Sequence, residues 1–289
     1  MSGLLSGLSK FGLKNLEKKE LYQEEKKKEE PPKDKKPAVQ VMKEEDYLFD
    51  KSYECPVCYQ KIKERTMRVG KAKLLKTDMD LRPVYENIEP LKYDVIVCQC
   101  CGYAVLSRYF MGLTPSQIKA VKDAISISFK PYEVKKETYT YEEALERYKL
   151  CLASTIVKHG KASEKAYICL KAGWLLRSMR EELDEELEGY DEKDAELKAE
   201  EDEFLQNALE GFLNARQSEN YPMCGMDEAT VEFLIAMLAM EYEQFEVASK
   251  ILPSIITSVT ANNRMKDKAR EAKDILLEKM KEKEKNANG

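Results

Sequence analysis

Cys55-Pro56-Val57-Cys58 and Cys98-Gln99-Cys100-Cys101-Gly102 are the stretches on which the reading of this chain turns. Two residues between paired cysteines let both thiolates of one tight turn reach the same ion, and Pro56 and Gly102 supply the turn geometry. Four thiolates complete a tetrahedron and leave no open position for water or substrate. The expected cofactor is therefore structural zinc on Cys55, Cys58, Cys98 and Cys101, not a Lewis-acid catalyst. The alternative for the same pairs is one or two reversible disulfides. Cys98 and Cys101 keep the two-residue gap, which leaves Cys100 over, either as a packed small side chain or as an exposed redox thiol. Cys151, Cys169 and Cys224 stand singly in helical patterns and are expected in the core.

Around the pairs, residues 49–112 are expected to form a small zinc-ribbon-like β module. Met67 to Val69, Ala72 to Leu75 and Val84-Tyr85 are short strand-like runs, and Tyr93 to Val97 feeds directly into the second pair. Between Lys61 and Arg82 stand eight basic residues against three acidic ones, Glu64, Asp78 and Asp80. That surplus could neutralise phosphates, with Tyr59 or Tyr85 stacking on bases, but the chain as a whole is acidic and a solvated face is the simpler expectation.

The first 48 residues divide in two. Residues 1–16 place Leu4, Leu8 and Phe11 on one helical face, a short amphipathic segment too small for stable membrane attachment. Residues 17–48 alternate Lys and Glu runs around Pro31, Pro32 and Pro37 and read as a charged, disordered linker. The start, MSGLLSGLSKFGL, lacks a basic leading region and a small-residue cleavage site, Ser2 removes the usual myristoylation signal, and no stretch approaches a membrane span. With eight cysteines, four of them clustered as metal ligands, in 289 residues, a reducing cytoplasm fits better than a secreted disulfide scaffold.

Residues 113–285 read as helical. Thr114-Pro115-Ser116 offers an N-cap with proline at the first helical position. A small-large-small-or-large pattern then recurs at Ala144, Tyr148 and Cys151, at Ala208, Phe212 and Ala215, and at Ala248, Leu252 and Ile255. Offsets of four and three keep each set on one helix face, and the small residue admits a close neighbour. The pattern resembles the second helix of tetratricopeptide repeats, with Leu170 to Trp174 and Ile235 to Ala239 in the matching first helices, although the spacing departs from that family's period of about 34 residues. An irregular helical bundle is the alternative. Within this region Glu181 to Glu203 carries fourteen acidic residues against Lys193 and Lys198, which reads as a solvated extension.

The leucine-and-glycine start, the charged linker, Cys-Pro-Val-Cys, Lys-Thr-Asp-Met-Asp-Leu-Arg at 76–82, and Tyr93 to Val97 running into Cys-x-x-Cys-Gly-Tyr together resemble the bacterial family catalogued as domain of unknown function 2225, over most of residues 45–260. The resemblance implies a bacterial cytoplasmic protein with a zinc module and tetratricopeptide-like helices, and it supplies no reaction. One departure is Tyr59, where many zinc knuckles carry glycine, so either a less usual turn or a strained one is expected there.

No motif supplies a nucleophile with its base, and no glycine-rich phosphate cradle is present. His159 lies in a polar turn, Lys158-His159-Gly160, and is expected at a helix C-terminus. Asp78, Asp80 and Arg82 alternate, so a strand would put them on one face as a candidate polar site beside the zinc module, with a structural ion-pair cluster as the alternative. The reading as a whole is α+β, mostly α: a cytoplasmic scaffold or adaptor for a protein or peptide. A nucleic-acid-binding regulator is the second reading, and a thiol-redox sensor or enzyme acting through Cys100 the third.

Overall fold

The computed structural model describes residues 42–132, 137–186 and 188–287. The amphipathic segment expected at 1–16, and the linker expected at 17–48 as far as Val41, lie outside the described residues. Everything described falls in one compact unit. Three two-stranded antiparallel sheets come first: β1 (Leu48–Glu54) with β2 (Lys61–Met67), β3 (Leu74–Thr77) with β4 (Pro83–Tyr85), and β5 (Val95–Val97) with β6 (Ala104–Leu106). Seven α-helices follow among the described residues: α1 (Pro115–Val121), α2 (Tyr141–Val157), α3 (Ala162–Glu181), α4 (Tyr190–Ser218), α5 (Glu228–Glu241), α6 (Phe245–Thr257) and α7 (Asn263–Ala287). The architecture is α+β, mostly α. Among the described residues, no helix is long and apolar enough to cross a membrane.

Local chemistry sets the helix starts. Thr114 and Thr140 each accept a bond from the backbone N–H three residues on, while Gln117 and Glu143 reach back, completing two capping boxes. Asp227 caps α5 through the Thr230 N–H. Strand β1 escapes the sequence pattern because Asp50, Lys51 and Ser52 break its apolar alternation, and all three are exposed. Its partner register, from Leu48↔Met67 to Glu54↔Lys61, supplies the order that its own residues do not encode.

The β5–β6 hairpin is the wall between two cores. Ile96 and Val105 are register partners on one face and pack with Cys55, Cys98, Cys101, Tyr103 and Phe110. Val95, Val97, Ala104 and Leu106 belong to the large core shared with the helices. Both faces are covered, so all six strand residues are buried and apolar, as a strand pair enclosed on both sides requires.

The helices run as successive hairpins, α3 against α4 and α5 against α6, with α7 closing on α6. The three recurring faces point inward: Ala144, Tyr148 and Cys151, Ala208, Phe212 and Ala215, and Ala248, Leu252 and Ile255 are all buried. The contact between α3 and α4 is reciprocal. A β-carbon on Gly173 of α3 would stand 2.5 Å from Leu205 of α4, and one on Gly211 of α4 would stand 2.8 Å from the β-carbon of Ala166. Gly211→Val is therefore expected to lower stability by about 1–3 kcal/mol through overpacking, although glycine itself is a poor helix former. Urea unfolding reads this, and an unchanged midpoint would show that the two helices can part freely.

The acidic run is less solvated than its composition suggests. Arg180 holds Asp194 through Nε at 2.7 Å and Glu201 through Nη1 at 2.9 Å, and Arg177 Nε holds the same Glu201 at 2.8 Å. Glu201 is buried, so two arginines of α3 neutralise the inner side of α4.

Candidate metal centre

Both knuckles are built alike. Tyr59 N–H donates to Cys55 C=O and Gly102 N–H donates to Cys98 C=O, each at 2.8 Å, closing one turn around each cysteine pair. The residue that closes each turn is left-handed, Tyr59 at φ 60° and Gly102 at φ 76°. Gly102 adopts this freely, whereas Tyr59 does so at a steric cost, so the first knuckle keeps the same turn as the second and is strained. Tyr59 is exposed and Lys122 Nζ lies 5.9 Å from its ring centroid.

The two turns bring Cys55, Cys58, Cys98 and Cys101 together with all four sulfurs within 4.8 Å of one another. Cys55 and Cys101 sulfurs are 3.6 Å apart, and Cys58 and Cys98 sulfurs 3.5 Å. A tetrahedral ion with metal–sulfur bonds of about 2.3 Å has sulfur–sulfur edges of about 3.8 Å, close to these separations. A disulfide needs about 2.05 Å, and all eight cysteines are free thiols. Hydrogen bonds from Cys101 and Cys98 pull the Cys55 thiol down to about 4. The same contact with Cys55 pushes Cys101 up. A full set of thiolates among Val57, Ile62 and Ile96 demands a cation to offset their repulsion. The donor set and its spacing fit a closed metal site.

Cys100 stands outside this set and is exposed. Partial burial and the neighbouring Cys98 and Cys58 push its thiol pKa up, the opposite of what activates a redox cysteine. Cys151 and Cys169 are buried within helices. Cys224 is buried as well but lies in a turn at φ 50°, not in a helix, and donates to the Ser163 carbonyl.

Asp78, Asp80 and Arg82 are not on a strand. They form the tip joining β3 to β4, closed by Asp78 N–H to Arg82 C=O at 2.9 Å and Leu81 N–H to Asp78 C=O at 3.0 Å. Arg82 is 1% exposed and donates to Asp78 at 2.7 Å, Ser178 at 3.0 Å and Glu181 at 2.5 Å. Asp80 Oδ2 accepts from Trp174 Nε1 at 2.9 Å and from Arg177 at 2.7 Å. Asp80 and Arg82 meet α3 while Asp78 pairs with Arg82 and Lys76, and their charges are consumed in an ion-pair cluster. His159 follows the end of α2 at φ 53°, a helix C-terminal position.

A second buried cluster carried no sequence signal. Glu64 of β2 accepts from Arg147 of α2, from Gln99 inside the second knuckle, and from Tyr139 at 3.3 Å. Arg147 also donates to the Val95 carbonyl at 2.7 Å and stacks 4.4 Å from the Tyr139 ring centroid. Burial holds the Glu64 carboxyl above the usual range, with Arg147, Gln99 and Tyr139 working against it. This group ties the knuckle to the helices.

No curated protein and no solved structure matches the chain. A family model described as an uncharacterized protein conserved in bacteria (DUF2225) matches residues 48–276, a stretch that takes in both knuckles and the helices as far as α7. With most of its length inside that match, the chain belongs to the DUF2225 family.

Proposed function

We propose that the chain is a zinc-stabilised adaptor of the bacterial cytoplasm that binds a protein partner through its helices. Zinc is the ion that four thiolates in a closed tetrahedral set suit best, and such a site stabilises a fold and leaves no position for substrate. The observation that carries the adaptor reading is the repeated burial of the Ala208 and Ala248 faces in two successive helix hairpins. We read these as degenerate tetratricopeptide-like units. Stacked hairpins contact only their neighbours and leave an extended surface for a partner. A cleft of about 440 Å³ lies on that surface between α4 and the α5–α6 turn, lined by Leu209, Leu213 and Tyr242 and edged by Glu210.

The basic stretch gives the nucleic-acid reading less support than its composition suggested. Arg65 pairs with Asp50, Lys73 with Glu86, Lys76 with Asp78, Arg68 bonds the Leu48 carbonyl, and Arg82 is buried. Lys61, Lys63 and Lys71 remain. The two readings separate in binding measured on the full chain with a partner cross-linked in the native cell. Leu213→Asp with Glu210→Arg is expected to abolish binding while metal content stays unchanged, with some loss of stability because Leu213 packs on the core. Loss instead on Lys61, Lys63 and Lys71→Gln, with a salt slope near −0.9 per neutralised phosphate, would replace the adaptor by a nucleic-acid binder.

A further inference from the structure

The β3–β4 tip sits on the helices in the manner of a bound peptide. Its backbone is a two-stranded hairpin paired to nothing else, and such a hairpin has little stability of its own. Leu74 and Leu75 are 50% and 54% exposed, while Ala72 and Tyr85 anchor the base on a separate small core of Tyr47, Leu48, Ile88, Tyr93 and Tyr139, so the tip is held by its own contacts. There Asp80 meets Trp174 and Arg177, and Arg82 meets Ser178 and Glu181, four residues of α3. Met79 and Leu81 pack on the large helical core. A cavity of about 150 Å³ continues beside the tip from Asp80 and Arg177 to Met237, Leu238 and Glu241 of α5. The seat thus spans the first helices of two successive hairpins. It provides a guanidinium and an indole N–H for a carboxylate, an apolar floor, and a hydroxyl and a carboxylate for a guanidinium. Glu181, the outer anchor of Arg82, is 52% exposed at its side chain, so water reaches one end of the contact.

We infer that residues 78–82 are an internal ligand occupying a peptide seat on α3 and α5. The partner that fits this seat carries an acidic residue two positions before an arginine with an apolar residue between them, as in Asp80-Leu81-Arg82. This inference rests on the adaptor reading, since it adds to the α4 cleft a second surface for the partner, one that the chain covers itself. Apparent affinity for the partner is lowered by the fraction of molecules whose seat is covered, and weakening the tip raises it.

Trp174 is the only tryptophan in the sequence and touches the tip directly, so its fluorescence reports release. The probe is a labelled peptide with the sequence of residues 76–84, added to the full metal-loaded chain. Asp80→Asn in the chain is expected to red-shift Trp174 emission and to tighten peptide binding about tenfold over wild type, as for a seat closed about nine-tenths of the time. A peptide with asparagine in place of its own central aspartate is expected to bind neither protein. Absence of peptide binding to Asp80→Asn when Trp174 has shifted and the circular dichroism is native would overturn the inference. In case that variant does not fold, hydrogen exchange on wild type decides: the Asp78 and Leu81 amides are expected to exchange through local opening, well before the α3 amides. Exchange of both groups only through global unfolding would make the tip part of the core and end the inference. A cross-linked partner that depends on Leu213 but is not displaced by the peptide would also overturn it and leave the adaptor standing. Loss of the adaptor would appear separately, as partner binding insensitive both to Leu213→Asp and to the peptide.

Discussion

Cys101→Ser is expected to leave the protein without metal, while Cys100→Ser keeps one ion per chain. Cys101 is 5% exposed and its sulfur is 3.6 Å from that of Cys55, so no neighbouring thiol can replace it without moving a knuckle. The effect on folding is large because structural zinc contributes about 10–16 kcal/mol of apparent binding free energy, more than the whole stability of an ordinary domain. The core around the knuckles packs Val57, Ile62, Ile96, Tyr103, Val105, Phe110 and Val121 about the cysteines, so losing the ion leaves repelling or unpaired sulfurs at its centre. Unfolding should begin there and reach the helices through the shared β5–β6 wall. Every ligand must be a thiolate, so protons compete with the ion, and a chelator should strip it more readily as pH falls. Native mass spectrometry gives the stoichiometry. A wild-type mass lighter by the hydrogens of one or two disulfides, with no metal, would contradict the closed site.

Removing either partner of the Glu64–Arg147 pair should be the most damaging change that touches no cysteine. Both residues are nearly inaccessible, and deleting one strands the other as an uncompensated charge, a loss of about 3–5 kcal/mol. Arg147→Ala removes the donor to Glu64 and to the Val95 carbonyl and takes the guanidinium from the Tyr139 ring. Glu64→Ala leaves Gln99 and Tyr139 without their acceptor. Replacing both Glu64 and Arg147 by leucine or methionine should recover much of the loss, because two missing charges leave neither unpaired. Urea unfolding of the two single variants and the double variant forms the cycle, with a coupling energy of about 0.5–3 kcal/mol expected. Additive losses would mean that water already screens the pair. Gln99 lies between two ligand cysteines, so Glu64→Ala should also speed metal loss to a chelator.

The parts legible in the sequence are those in which neighbours along the chain are neighbours in space. A two-residue gap brings two thiolates to one ion through a single turn, and that turn explains both Cys55 with Cys58 and Cys98 with Cys101. Offsets of three and four place Ala208, Phe212 and Ala215 on one buried face, and Thr114 before Pro115 marks a helix start. The Tyr59 turn was legible for the same reason. Strand β1 was not, because its order comes from β2 and not from its own charged residues.

Alternation at Asp78, Asp80 and Arg82 suggested a strand face, but a turn with Leu81 at φ 69° places Asp80 and Arg82 against α3 instead. Period two carries no information on whether the backbone is extended, and three residues are too few to decide. The sequence by itself therefore determined the cysteine turns that come together, the recurring helix faces and the Thr114 cap. Only the tertiary structure decided that Glu64 meets Arg147, that Arg82 meets Glu181, and that Gly211 meets Ala166. The physical reason is range: turn and helix geometry are set by a few successive dihedral angles, whereas a contact between distant residues exists only once the topology has brought their elements together.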